Sequence, residues 1–151
     1  MDTLTHALSG ALLARALVAP DNARRALPER WFGRPLSVAQ AVAVGAAAAT
    51  FPDADFVLGW VSDLAYLRGH RGVTHSLLML PLWSVLLGLL FARLFRRPEL
   101  WKRASWIAAS ALGIHILGDW ITQFGTMLLA PLSDARFGLG SIFIIDLVLT
   151  G

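Results

Sequence analysis

Cysteine is absent from this chain of 151 residues, and charged residues make up only 15% of it. Without cysteine the protein cannot form a disulfide or hold a metal through thiolates, so histidine, aspartate or glutamate must supply any metal ligands. A soluble domain is usually about 25% charged. Low charge and a hydrophobic content of 56% therefore argue against a soluble globular domain and a disordered tail. The missing cysteine argues against a disulfide-stapled secreted module.

The basic residues that are present are unevenly distributed. Lysine and arginine together number 13 against 10 acidic residues, which gives a formal net charge of +3. Such an excess can indicate nucleic-acid binding, but most of these residues lie in two polar stretches, 20–35 and 95–103, between apolar runs. This pattern is typical of loops between membrane helices. We therefore predict the lipid bilayer as a partner and no nucleic acid.

Apolar runs account for most of the remaining chain. They cover 4–19, 36–51, 76–92, 104–118, 120–133 and 138–151. Each lies near or below the lower end of the about 17–25 residues that a membrane-spanning helix needs. We therefore predict an all-α fold, a multi-pass membrane bundle of short helices, in a single membrane-embedded domain over 1–151. The run that contains Gly125 and Pro131 is expected to be short or re-entrant, and the last helix is expected to be truncated.

The orientation of the predicted helices brings their ionisable residues together. Lysine and arginine in short loops favour the cytoplasm, which would place both polar stretches on that side. The other ends of the helices then meet at the extracytoplasmic face. The ionisable residues at that face are His6, Asp53, Asp55, His70, His75, His115 and Asp119. Hydropathy placed the helices without reference to these residues, so their convergence predicts a functional site.

The residue types and spacings at this face suit a divalent metal. His115 and Asp119 are four residues apart on a predicted helix, so they share one of its faces. Asp53 and Asp55 would point the same way if their segment were extended, and adjacent carboxylates repel each other unless a cation or proton intervenes. Nitrogen and oxygen ligands favour zinc, with manganese or iron as alternatives. Seven candidate ligands exceed the needs of one tetrahedral zinc, which predicts two or more ions.

Each of these residues also has an ordinary structural interpretation. Asp53 and Asp55 could cap the following helix, and His115 with Asp119 could be a buried helix pair. His6 alone would be a hydrogen-bonded residue at the membrane interface. Ionisable side chains near a bilayer are costly and usually functional, so their grouping favours a metal or proton site over these separate explanations.

Several motifs in this order carry a resemblance to a known family. They are MDTLTH at 1–6, PDAD at 52–55, HRGVTHS at 70–76, HILGD at 115–119, GT at 125–126, Pro131 and IID at 144–146. Together they resemble the YdjM-like family of bacterial inner-membrane metal-dependent hydrolases, which is distantly similar to zinc-dependent phospholipase C and the S1/P1 nucleases. The resemblance covers nearly the whole chain.

That resemblance implies an all-helical fold in the bacterial inner membrane and metal-dependent hydrolysis. It also implies a set of metal ligands, namely His6, Asp55, His70, His75, His115 and Asp119. Asp53 would be a further ligand or a general base, and Asp146 matches an aspartate of the family's final helix. Members of the family usually continue beyond this point, which is a further reason to expect a truncated last helix.

The function that these observations predict is a membrane-bound metal-dependent hydrolase. Its substrate would be a phosphoester such as a phospholipid or a lipid-linked phosphate, because the site lies at the lipid–water boundary. Asp53 or Asp55 would act as the catalytic base, and Arg71 could hold a phosphate. Two alternatives remain open at this point: a transporter of protons or metal ions, and a structural membrane protein with a stabilising metal.

Overall fold

The computed structural model describes residues 2–18, 29–32, 34–122 and 124–140. The α-helices are α1 (Thr3–Val18), α2 (Glu29–Phe32), α3 (Val38–Thr50), α4 (Asp63–Gly69), α5 (Leu80–Leu94) and α6 (Trp101–Trp120). Short 3-10 helices cover Pro52–Trp60, Val73–His75 and Pro98–Leu100. Within the described ranges there is no β-strand, only an isolated antiparallel bridge between Thr126 and Phe137. The predicted all-α class is therefore confirmed for these residues.

Small residues let α1 and α3 lie very close together. A Cβ atom at Gly10 would collide with the carbonyl group of Gly45 and the side chain of Ala49. A Cβ atom at Gly45 would collide with the carbonyl group of Gly10 and the side chain of Ala14. Glycine and alanine at such contacts are typical of helices that pack in membranes. Because Gly10 meets Ala49 whereas the later Ala14 meets the earlier Gly45, the two helices are antiparallel.

Helix α6 packs against α1, α3 and α5, and the apolar core surrounds it. Its buried residues Ala108, Ala111 and Leu112 join Val44 and Ala48 of α3 in that core. Helix α5 approaches α6 closely at Gly88, where an added Cβ atom would collide with Ser105. The start of α1 and the ends of α3 and α6 consequently meet at one end of the bundle.

The two ends of α3 have different local causes. A capping box begins the helix, because the Ser37 hydroxyl accepts from the backbone N–H of Gln40 while the Gln40 side chain accepts from that of Ser37. The helix ends at Thr50, directly before Phe51 and Pro52. Proline has no N–H to continue the α-helical hydrogen bonds, although Phe51 before it keeps helical backbone angles. The chain bends by 45° there and enters the 3-10 helix that carries Asp53 and Asp55.

The predicted apolar runs agree with the longer helices. Runs 4–19, 36–51, 76–92 and 104–118 correspond to α1, α3, α5 and α6. Among the residues that the structure describes, no single helix has both the length and the apolar composition to cross a bilayer. By length and composition alone, the bent pair of Val38–Thr50 and Pro52–Trp60 reaches the required span. The multi-pass topology therefore stays a prediction.

After α6 the described chain is irregular rather than helical. The run 120–133 leaves the helix at Trp120 and continues in turns. Gly125 has a φ of 76°, which glycine adopts without steric cost. The backbone N–H of Met127 donates to the carbonyl of Arg71 at 3.0 Å, so this loop packs against the segment that follows α4. Residues 141–151, with Asp146, lie outside the described residues.

Candidate metal centre

Four residues from three parts of the chain meet where α1 begins and where α3 and α6 end. They are His6, Asp53, His115 and Asp119, and each offers a donor atom within 4.8 Å of all the others. His6, His115 and Asp119 are almost completely buried, whereas the Asp53 side chain is 18% exposed. This group of nitrogen and oxygen donors could hold a metal ion.

His75 approaches the same carboxylates from the short 3-10 helix before α5. Its Nε2 lies 3.2 Å from Oδ2 of Asp119 and 3.9 Å from Oδ1 of Asp53. The Nε2 of His115 lies 3.4 Å and 3.6 Å from the same two atoms. Both Nε2 atoms are buried, and neither makes a hydrogen bond within the described structure. Two imidazoles therefore point unbonded nitrogens at two carboxylate oxygens.

The tautomer of a neutral His115 follows from its other ring nitrogen. Nδ1 contacts the main-chain carbonyl of Ala49 at the end of α3. A carbonyl oxygen can only accept, so Nδ1 must carry the proton and donate. In the neutral ring Nε2 then presents a lone pair, and it faces carboxylate oxygens that also carry lone pairs. Such an arrangement requires a proton or a cation between the groups.

His75 is held on its opposite side by polar neighbours. The Oγ1 of Thr74 lies 3.0 Å from its Nδ1, and Oδ2 of Asp55 lies 3.6 Å from the same nitrogen. The ring is completely buried, and burial lowers the pKa of His75 below its ordinary value. A neutral imidazole is the form that binds metals.

The segment of the 52–55 motif is not extended, and its two aspartates do not point the same way. They lie on the 3-10 helix Pro52–Trp60, where residues two apart are about 120° apart around the axis. Asp53 faces the Nε2 atoms of His75 and His115. Asp55 instead lies 3.0 Å from Nδ1 of His70 and accepts from the backbone N–H of Arg71 at 2.9 Å.

Asp55 and His70 therefore lie on the Nδ1 side of His75, outside the group of four donors. His70 is 19% exposed and stacks on the ring of Tyr66, with 4.7 Å between ring centroids. The edge of Phe124 covers another side of the same imidazole. Within the 70–76 motif, His75 therefore faces the donor group directly, whereas His70 contacts Asp55, which lies beside His75.

Asp119 is the residue that the other members of the cluster share. Its Oδ2 faces His75 and His115, while its Oδ1 lies 3.2 Å from Nε2 of His6 and 2.9 Å from Nη2 of Arg71. Its main-chain carbonyl accepts a hydrogen bond of 2.7 Å from the hydroxyl of Thr122. Each oxygen of this one carboxylate consequently lies beside two nitrogen atoms.

Sequence reasoning missed three groups that orient the cluster. The carbonyl of Ala49 carries no side-chain signal, and no motif pointed to it. Thr74 belongs to the 70–76 motif and directly precedes His75, but nothing in the motif indicates that its hydroxyl contacts the His75 ring. The contact of Thr122 could have been predicted, because a threonine three residues after Asp119 can donate its hydroxyl hydrogen bond back to the main-chain carbonyl of that residue at a helix end. Asp146, the remaining candidate, lies outside the described residues.

Comparison with known proteins places the chain in a family. The family model described as "YdjM inner membrane protein" matches residues 1–151. The chain belongs to this family, which confirms the resemblance drawn from its motifs, and membership implies association with the lipid bilayer of the inner membrane.

The chain is also similar to a longer protein, whose name gives no activity. The chain is 27% identical over 147 residues to "Uncharacterized protein YfhP" of Bacillus subtilis (strain 168). The match covers 97% of this chain and 42% of that protein, so the chain spans less than half of its relative. No solved structure matches the chain.

Proposed function

We propose that this member of the YdjM inner membrane protein family is a membrane-bound metal-dependent hydrolase. Its substrate would be a phosphoester, such as a phospholipid or a lipid-linked phosphate. The observation that carries the proposal is the pair of buried, unbonded Nε2 atoms of His75 and His115, aimed at carboxylate oxygens of Asp53 and Asp119.

The donor spacing fits zinc. A tetrahedral zinc ion about 2.0–2.1 Å from its ligands keeps the ligand atoms about 3.3–3.4 Å apart. The four distances between these imidazole nitrogens and carboxylate oxygens are 3.2, 3.4, 3.6 and 3.9 Å. The proposed ligands are therefore His75, His115 and Asp119, which are joined by the two shortest distances. They leave the fourth position of a tetrahedral ion open for water, and Asp53, at the two longer distances, lies beside that position. His6 is a further donor within reach, because one of its ring nitrogens lies within 4.8 Å of donor atoms of Asp53, His115 and Asp119. Its imidazole also stacks on that of His115, with 3.7 Å between centroids.

The neighbours of these imidazoles support the assignment. Histidines that bind metals usually donate their second N–H to a carbonyl or a carboxylate, which fixes the tautomer and the ring orientation. The carbonyl of Ala49 has this position at His115, and the carboxylate of Asp55 lies near Nδ1 of His75. Asp55 and His70 thus orient the proposed ligands without binding the ion themselves.

A divalent ion held by His75, His115 and Asp119 would lower the pKa of a water in its fourth position toward about 7. Asp53 is the residue best placed to take a proton during the reaction. It is the most exposed carboxylate of the cluster, and its Oδ2 makes no hydrogen bond. Asp55, by contrast, is engaged by His70 and by the backbone of Arg71. We therefore assign the general base to Asp53 rather than to Asp55.

Two features beside the cluster support a lipid substrate. Phe56 and Trp60 follow Asp53 on the same 3-10 helix and are 54% and 80% exposed. Exposed aromatic side chains of this kind favour the membrane–water interface. A cavity of about 400 Å³ adjoins the cluster at Asp55, and its walls include the apolar side chains of Leu58 and Met127. The apolar part of a lipid suits such a cavity, which borders the cluster at Asp55 rather than at the proposed ligands.

The distribution of buried charge favours hydrolysis over ion transport. In the described ranges, every buried ionisable side chain except that of Arg103 belongs to the cluster or contacts it. An ion pathway needs ionisable groups at successive depths of the bundle. The grouping at one end of the bundle is the arrangement of a single reaction centre.

Metal analysis combined with an activity assay tests this proposal. The full chain, purified in detergent, should contain zinc and should hydrolyse a phospholipid or another phosphoester in mixed micelles. His115→Ala and Asp119→Asn should lose both properties. The exposed aspartate Asp63 of α4 provides a matched control, because Asp63→Asn lies outside the cluster and should keep both.

Other outcomes identify the alternatives. Full metal content and full activity in His115→Ala and Asp119→Asn would show that the site is wrong. Bound metal without turnover on any phosphoester, together with lower thermal stability after chelation, would indicate a structural metal. Metal flux into proteoliposomes that the same substitutions abolish would indicate a transporter.

A further inference from the structure

Arg71 has an unusual combination of backbone conformation and burial. Its φ is 57°, in the left-handed region that residues other than glycine rarely adopt, and only 3% of the residue is exposed. Its backbone N–H donates to Oδ2 of Asp55 at 2.9 Å. Strained backbone of this kind persists where surrounding contacts fix it, and it is concentrated at functional sites. The conformation turns the side chain into the cluster.

The guanidinium group of Arg71 lies against one side of Asp119. Nη2 donates to Oδ1 of Asp119 at 2.9 Å, and Nη1 donates to the hydroxyl of Thr122 at 2.6 Å. The ring of Phe124 lies 5.4 Å from the guanidinium carbon. Oδ2 of Asp119 is the oxygen that faces His75 and His115, so the arginine and the proposed ion lie on opposite sides of one carboxylate.

We infer that Arg71 is a resident cation on the Oδ1 side of Asp119, and that the centre therefore holds one divalent ion rather than a pair. This inference rests on the proposed function, because it counts ions at the centre proposed above. It also replaces the prediction of two or more ions, which was based on the number of candidate ligands. Arg71 is a positioning residue, since it acts through Asp119.

The charge balance supports a single ion. The cluster contains three carboxylates, those of Asp53, Asp55 and Asp119, and one arginine. With neutral imidazoles its net charge is two negative units, which one divalent cation neutralises. A second divalent cation would leave two uncompensated positive charges in a largely buried site, where unpaired charge is costly.

The geometry disfavours a bridged pair for a separate reason. Paired catalytic ions lie about 3.5–4 Å apart, and a carboxylate that bridges such a pair places one oxygen on each ion. Asp119 is the shared carboxylate of this cluster, and its Oδ1 already accepts from Nη2 of Arg71. A second ion on that oxygen would have to displace the guanidinium group. The donors that it would then find are Asp119, Nε2 of His6 and the hydroxyl of Thr122.

Counting ions per chain tests the inference. The full chain is incubated with excess zinc, desalted and measured by elemental analysis, and the wild type should hold one ion. Arg71→Lys keeps the charge and should also hold one. Arg71→Gly removes the cation and adopts the positive φ without strain, so it should rise toward two ions per chain.

Arg136→Met is the matched control for these variants. The guanidinium of Arg136 also lies over the ring of Phe124, at 5.1 Å, but it donates to the main-chain carbonyls of Leu67 and His70. This substitution removes a neighbouring cation that does not contact Asp119, and it should leave the count at one.

A second measurement on the wild type needs no variant. The chain loaded with manganese should give the electron paramagnetic resonance spectrum of an isolated ion. Two zinc ions per chain, or the spectrum of a coupled manganese pair, would overturn the inference and leave the proposed hydrolase intact. A folded Arg71→Gly protein that stays at one ion would overturn the role of Arg71. A wild type without bound metal would overturn the proposed centre together with this inference.

Discussion

The α1–α3 contact and the His–Asp cluster share one helix face, since Gly10 and His6 are four residues apart on α1. At Gly10 the two backbones touch, and the contact depends on the absence of side-chain atoms. At His6 the neighbours are an imidazole and a carboxylate, and the contact depends on particular nitrogen and oxygen atoms. The first region therefore fixes the distance between the two helices, and the second depends on that distance to bring its nitrogen and oxygen atoms together.

The difference suggests that the glycine contact has an indirect role in metal binding. It brings the start of α1 against the end of α3, whose Ala49 carbonyl orients His115. Changes at the glycines should act through the fold and remove the cluster with it. Changes within the cluster should reduce metal binding and, where they leave a charge unpaired, stability as well.

Gly10→Leu should have the largest effect. Overpacking a core usually costs about 1–3 kcal/mol because neighbouring side chains move aside, but the atoms that would collide here include the main-chain carbonyl of Gly45. We expect α1 and α3 to separate, with loss of the folded state and of bound metal. Thermal unfolding and metal content of the protein in detergent measure the two effects. A stable Gly10→Leu protein with normal metal content would contradict the close contact.

Asp119→Asn should have the next largest effect, and it acts on the cluster rather than on the helix contact. It removes a proposed ligand and leaves the buried guanidinium of Arg71 without its ionic partner. Breaking one member of a buried ion pair costs about 3–5 kcal/mol. We expect metal to be lost and the free energy of unfolding to fall by about this amount, as measured by denaturant titration. Combining it with Arg71→Met should recover part of the stability but none of the metal.

Asp55→Asn should have a smaller effect, because this residue touches His75 from the side away from the proposed ion. Substitutions of groups that orient metal ligands typically lower affinity by about 10–100-fold. We expect a weaker zinc affinity of that order, measured by competition with a chelator, with full occupancy at high zinc concentration. If Asp55→Asn instead abolished metal binding at every concentration, Asp55 would be a direct ligand and our assignment would be wrong.

The parts of this picture that the sequence predicts are those encoded in patterns along the chain. Apolar runs predict α1, α3, α5 and α6, and the helix ends predict which histidines and aspartates approach one another. The separation of Asp53 from Asp55 was not predicted, because the nine residues of Pro52–Trp60 carry no periodicity that distinguishes a 3-10 helix from an extended segment. The inward turn of Arg71 was not predicted either, since its positive φ depends on contacts with Asp55 and Asp119, which are distant in sequence.

Gly113→Ala should have the smallest effect, and it completes the comparison by testing a glycine that makes no close contact. Gly113 lies in α6 two residues before His115, and a Cβ atom there would meet no atom within 4 Å. Alanine in a helix interior is more stable than glycine by about 0.5–1 kcal/mol. We expect a small rise in the unfolding temperature and unchanged zinc content, the opposite of Gly10→Leu. A large loss of stability would show that α6 meets a neighbour at this position. A close helix contact would then lie beside His115, as the Gly10 contact lies beside His6.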